Sequence, residues 1–71
     1  MYLNPAETVI QEFGGVRKTA KILKLYPSTV CRWKTSKGLI PSAMQTTVLK
    51  EAKRLNKNLT TDDIVWGRTV K

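Results

Sequence analysis

A chain of 71 residues is one small domain, and Lys and Arg outnumber Asp and Glu by 13 to 5, a net charge of +8 that points to a polyanionic partner. The single cysteine, Cys31, excludes an intramolecular disulfide, and the lack of histidine removes the usual zinc spacing and the commonest general base. The longest apolar run, Ile64 to Trp66, is too short to span a membrane, and Met1 to Asn4 lacks the basic and apolar regions of a secretory signal.

Charge placement is more informative than the total. No acid occurs from Phe13 through Lys50, while Arg17, Lys18, Lys21, Lys24, Arg32, Lys34, Lys37 and Lys50 all fall there. The flanking Lys53, Arg54, Lys57, Arg68 and Lys71 are balanced by Glu7, Glu12, Glu51, Asp62 and Asp63. Solubility alone does not require acids to be absent from half a chain, so the basic surface is local and directed at a partner.

Asn4-Pro5-Ala6-Glu7 predicts a helix start, with Asn4 as N-cap, Pro5 at the first helical position and Glu7 completing a capping box. Ala6, Val9, Ile10 and Phe13 then recur at helical spacing before Gly14-Gly15, which tolerate a left-handed cap, so the first helix covers about residues 5 to 13. Val16, Ala20 and Leu23 carry the period through a second helix of about two turns, with Ile22 off the stripe. After Lys24-Leu25-Tyr26, Pro27 opens a third helix to about Thr35 that buries Val30 and Trp33.

Ser36-Lys37-Gly38 is a predicted turn, and Pro41 disfavours helix at Ile40. Ser42 with Gln45 has the capping-box pattern, and Met44, Val48, Ala52 and Leu55 form the stripe of a fourth and longest helix ending near Asn56. Thr60 caps a short fifth helix that Gly67 closes, with Asp62 and Asp63 in its positive first turn and Leu59 stapled onto Ile64. Thr69-Val70-Lys71 is too short to judge as a strand, so the expectation is an all-α fold of five short helices in a single domain over residues 1–71.

Two short helices joined by a three-residue turn, the second led by small polar residues and carrying an arginine, have the helix-turn-helix arrangement. Ala20 allows close approach of the two helices, while Leu23, Leu25, Val30 and Trp33 fill the angle between them. Pro27, Ser28, Cys31, Arg32 and Thr35 share the opposite face of the third helix, the one that would enter a major groove. Arg32 is the strongest candidate for base or phosphate contact, with guanine its natural bidentate target. Ser28 and Thr29 are candidates for phosphate or base contact, and Cys31 suits a thymine methyl better than thiol chemistry. Arg17, Lys18 and Lys21 are expected to touch phosphate near the start of the second helix, and Lys34 and Lys37 more weakly. Tyr26 fits either packing or phosphate contact. Trp33 falls on the buried stripe, whereas Trp66 suits either the core or a dimer contact.

Thr19-Ala20-Lys21, Leu23, Tyr26 and Ser28 resemble the motif of the Cro and repressor proteins of lambda-like phages. A wider pattern is similar to small Cro/CI-type regulators over nearly the whole chain: Phe13-Gly14-Gly15, Ser28-Thr29-Val30, Arg32-Trp33-Lys34, Gly38 to Pro41, and Leu59-Thr60 through Gly67. Two departures stand out. Lys24 replaces a glycine common in the turn, at a cost of roughly 1 kcal/mol if it is left-handed. Pro27 stands where such proteins often carry glutamine, which removes an amide that would read adenine. Some members finish in β-strands; the helical periodicity from Ser42 to Gly67 sides with the all-helical form.

The resemblance implies a sequence-specific DNA-binding transcriptional regulator, a Cro-like repressor that binds a pseudo-palindromic operator in double-stranded DNA as a homodimer. Its compartment would be the cytoplasm or nucleoid of a bacterial host. No catalytic activity, cofactor, metal, membrane or small-molecule ligand is expected. Ile64, Val65, Trp66 and Val70 are left over once the core is filled, and they are the expected dimer contact. Thr29 to Trp33 followed by Gly38 to Pro41 also resembles the winged helix-turn-helix of excisionase-like architectural proteins. That reading needs a β wing where the Met44 to Leu55 stripe lies. An RNA-binding reading would need exposed aromatics on a sheet or a disordered basic tail, and the sequence predicts neither.

Overall fold

The computed structural model describes residues 2–35 and 37–69; Met1, the expected turn residue Ser36, the expected contact Val70 and Lys71 lie outside them. The elements run β1 (Tyr2–Leu3), α1 (Pro5–Phe13), α2 (Val16–Leu23), α3 (Pro27–Thr35), α4 (Ser42–Arg54), α5 (Thr61–Trp66) and β2 (Arg68–Thr69). The chain is all-α in class, with five short helices among the described residues and one antiparallel pair of two-residue strands.

Local chemistry sets the helix ends. The Asn4 side chain accepts from the Glu7 amide at 2.8 Å, and the Asn4 amide donates to Glu7 Oε1 at 3.2 Å, completing the predicted capping box. The Ala6 amide donates to the Gly38 carbonyl at 2.9 Å, so the turn after α3 caps the start of α1. Gly14 (φ 97°) ends α1 in left-handed backbone and Gly15 (φ 120°) begins α2 in an extended positive-φ conformation, both open to glycine because it lacks a Cβ. Thr60 and Asp63 form the second capping box, at the start of α5.

The core joins Ala6, Val9, Ile10 and Phe13 of α1 to Ala20 and Leu23 of α2, Val30 and Trp33 of α3, Val48 and Ala52 of α4, and Ile64 of α5. Leu59 is buried with Ile64, as a staple requires. Each large apolar side chain buried this way contributes about 1.5 to 3 kcal/mol.

Four features differ from expectation. Ser42 is the first residue of α4 rather than its cap: the cap position is Pro41, which has no side chain to accept a bond. The Pro41 carbonyl takes the Met44 amide instead, and Gln45 Nε2 donates back to the Ile40 carbonyl at 3.2 Å. Ile40 is itself buried in the core, and Ile22 packs partly against it. The strand pair was not foreseen, because Tyr2↔Thr69 and Leu3↔Arg68 join opposite ends of the chain and two residues carry no alternation. Ile64 is 2% exposed, so it belongs to the core and is not free to form a dimer contact. Of the other proposed contacts, Val65 is half-buried and Trp66 is exposed.

Candidate nucleic-acid interface

The connection between α2 and α3 is built on a lysine in left-handed conformation. Lys24 lies at φ 58°, ψ 44°, and its position lets the Leu25 amide donate to the Ala20 carbonyl at 2.8 Å, closing α2. Two residues later the Tyr26 carbonyl accepts from the Thr29 amide at 2.9 Å and the Val30 amide at 3.3 Å, which starts α3. Both helices are thus fixed by backbone bonds between Ala20 and Val30, and α2 packs against α3.

Burial on α3 is one-sided. Val30 and Trp33 are buried, and Ser28, Cys31, Arg32 and Thr35 are all exposed. These four fall within about 100° of the helix circumference, centred about 180° from the buried pair. Pro27 is exposed at the edge of this surface, and Thr29 is half-buried at its border. The Thr35 hydroxyl donates to the Arg32 carbonyl at 3.1 Å, leaving its oxygen as an acceptor. Tyr26 is 79% exposed, so the packing alternative is excluded and its ring stands beside the start of α3.

Arg17, Lys18, Lys21 and Lys24 are exposed on and just after α2, opposite its buried Thr19, Ala20 and Leu23. Thr19 is held inward by its hydroxyl, which donates to the Gly15 carbonyl at 2.8 Å. The Lys18 side chain lies over Gly14, where a Cβ would approach its Cδ to 3.0 Å. Lys34 and Lys37 are exposed at the end of α3 and in the following turn.

The ion pairs among the described residues are Arg54–Glu51, Arg68–Glu12 and Arg68–Asp63. None involves a cation between Arg17 and Lys50. Four of the five acids are occupied elsewhere, Glu7 in the α1 cap, Glu51 with Arg54, and Glu12 and Asp63 around Arg68, and the fifth, Asp62, lies in the first turn of α5. The basic segment therefore keeps its charge unneutralised, which favours a polyanion by counterion release. Among the described residues no cluster of three or more His, Cys, Asp or Glu is placed to hold a metal, and no helix is long and apolar enough to cross a membrane.

One exposed apolar residue of this region gave no sequence signal: Leu39, between the turn and Pro41. Its neighbour Ile40 turns inward, and one residue in each direction is too short a pattern to assign a face. Comparison of the chain with protein-family models, curated proteins and solved structures gives no match.

Proposed function

We propose that the chain is a sequence-specific DNA-binding regulator with a helix-turn-helix at α2 and α3, acting as a Cro-like repressor on a pseudo-palindromic operator. The observation that carries this reading is the exposed face of α3, where Ser28, Cys31, Arg32 and Thr35 stand together opposite the core. An α-helix fits the major groove of B-DNA, about 12 Å wide, and this face offers what base edges accept. Arg32 supplies a fork of donors for guanine, the Ser28 hydroxyl bonds to either kind of edge, the Thr35 oxygen accepts from a donor edge, and Cys31 places a small soft group beside a thymine methyl.

Phosphates on either side of the groove are met by Arg17, Lys18, Lys21 and Lys37, with Tyr26 and Thr29 at the start of α3, while Pro27 packs at the edge of the groove-facing surface. These contacts fix register and carry no sequence information by themselves. The body measures 29 × 27 × 21 Å, less than the roughly 34 Å of one duplex turn, so one copy covers one half-site and two copies cover a palindrome. Bound across a promoter, such a pair represses by occlusion.

Selection of bound sites from a random DNA pool tests this reading. Enrichment of an inverted repeat is the expected result. Enrichment of RNA alone from a mixed pool, or of no sequence at all, overturns it. The excisionase-like alternative gains no support here, because α4 occupies residues 42–54, where its wing would have to lie.

A further inference from the structure

Charge outside the α2 and α3 region balances in sum but not in space. Glu7 is held in the α1 cap, Glu12 and Asp63 are gathered around Arg68, Glu51 pairs with Arg54, and Asp62 stands in the first turn of α5. Lys50, Lys53 and Lys57 are exposed, and none of them enters an ion pair among the described residues.

The fourth helix presents its cations on one side. Val48 and Ala52 are buried, while Thr46, Thr47, Lys50, Lys53 and Arg54 are exposed. At about 100° per residue the exposed positions fall within about 120° of the circumference, centred about 180° from the buried pair. Lys57 follows just beyond the helix end, where its amide donates to the Ala52 carbonyl at 2.8 Å. Complementing the helix dipole accounts for Lys53 and Arg54, which lie in the last turn, but not for Lys50, which precedes it.

We propose that this outer face of α4 is a second anion-binding surface, which holds the phosphate backbone of a duplex other than the one read by α3, so that the protein bridges two DNA segments. The inference goes beyond the proposed function and takes from it only the kind of polyanion.

Three features favour a duplex backbone as the occupant. The face has no free carboxylate, because Glu51 is half-buried at its border and committed to Arg54. From Thr46 to Lys53 it runs about 10 Å, and its hydroxyls and cationic heads suit phosphate oxygens while asking for no particular base. Second, the face carries no large apolar or aromatic side chain. A protein partner would need an apolar centre, from which lysine is depleted, and single-stranded RNA would need rings on which its bases stack. The cleft of about 120 Å³ between α4 and α5, lined by Leu49 and Ile64 among others and by no charged residue, borders this face and offers an anion nothing. Third, the main neighbours of α3 are α1 and α2, whereas those of α4 are α2 and α5, so the outward faces of α3 and α4 diverge. A duplex lying along α3 is therefore not the one that α4 meets.

The unpaired lysines also set the strength. Each phosphate neutralised contributes about −0.9 to the slope of log affinity against log salt, so three lysines hold the second duplex with a slope of about −3. It is shed as salt rises.

The test immobilises a random-sequence duplex on beads, loads it with the whole chain at low salt, and measures capture of a second, fluorescent duplex. Wild type should capture it. Lys50→Gln, Lys53→Gln and Lys57→Gln together should lower capture at least about tenfold, with the circular dichroism spectrum native and affinity for a lone duplex held within about twofold. Arginine at the same three positions should preserve capture. Undiminished capture by the glutamine variant overturns the proposal, since it leaves bridging to the two α3 faces of a dimer. An equal loss of capture and of lone-duplex affinity also overturns it, because it places these lysines on the first duplex. So does preferential capture of single-stranded RNA, loss of capture in the arginine variant, or no capture by wild type. A chain that selects an inverted repeat from a DNA pool but captures no second duplex loses this surface and keeps the functional reading. One that captures duplex through α4 but selects no sequence does the reverse.

Discussion

Arg68 donates to Asp63 at 2.6 Å, and the same carboxylate oxygen accepts the Thr60 amide at 3.1 Å, so the strand that ends the described chain is tied to the cap that begins α5. Arg68 also reaches Glu12 at 3.3 Å and the Asn58 carbonyl, linking α1, the loop before α5 and β2 through one guanidinium. The Arg68 bond is the main reason the Asp63 carboxyl titrates below its ordinary value; partial burial pushes the other way, and the Thr60 amide adds to the lowering.

A depressed carboxylate stabilises the fold above its unfolded pKa, near 3.9, and the contribution is lost as pH falls through the folded value. Arg68→Met should cost about 1 kcal/mol at neutral pH and flatten the acid side of the stability profile below about pH 4. Urea unfolding of both proteins across that range checks it. An unchanged acid limb in Arg68→Met would remove the pair from the account.

Lys24 holds a left-handed backbone at φ 58°, which costs a residue with a Cβ roughly 1 to 2 kcal/mol. Glycine removes that strain and adds unfolded-state entropy, for a net gain of about 0.5 kcal/mol. Lys24→Gly should therefore raise the melting temperature by about 2 to 4 °C. A fall in melting temperature would show that the lysine makes a compensating contact.

Gly38 and Gly15 separate two effects of adding a Cβ. Both have positive φ, but a Cβ on Gly38 would run into the Asn4 side chain, whereas one on Gly15 meets open space. Gly38→Ala should cost about 2 kcal/mol or more, combining backbone strain with a disturbed N-cap, and Gly15→Ala about 1 kcal/mol. Equal losses in thermal unfolding would mean that the Gly38 contact with the α1 cap is unimportant.

Most of the helical architecture was legible in the sequence, because it rests on local signals. Asn4 and Glu7, Thr60 and Asp63, and the stripes ending in Phe13 and Trp33 announce their elements within one or two turns of chain. The pairing of Leu3 with Arg68 was not legible, since it depends on where the ends of the chain arrive after folding. Ile64 was misplaced for a related reason: a six-residue helix shows too little of its period to reveal which apolar residue faces inward, and Ile64 and Trp66 could not be told apart. The exposed α3 face was legible because the buried spacing of Val30 and Trp33 dictates what lies opposite. The cleft between α4 and α5 was not, because it is a gap between elements rather than a property of either.

On the proposed reading, the unneutralised cations of α2 and α3 should make binding to DNA steeply salt-dependent. Five to eight phosphate contacts per dimer give a slope of about −5 to −7 in log affinity against log salt. Titrations at several salt concentrations measure it, and a slope near zero would exclude phosphate contact as the source of affinity.

Affinity of Arg32→Ala and Lys21→Ala for a selected operator and for random duplex tests the central claim most directly, because it separates base reading from charge. The account predicts that Arg32→Ala loses about 1 to 3 kcal/mol on the operator, with preference relaxed at one position per half-site, and little on random DNA. Lys21→Ala should weaken both alike. Equal losses on operator and random DNA for Arg32→Ala, or no loss on either, would contradict the assignment of the α3 face to base recognition.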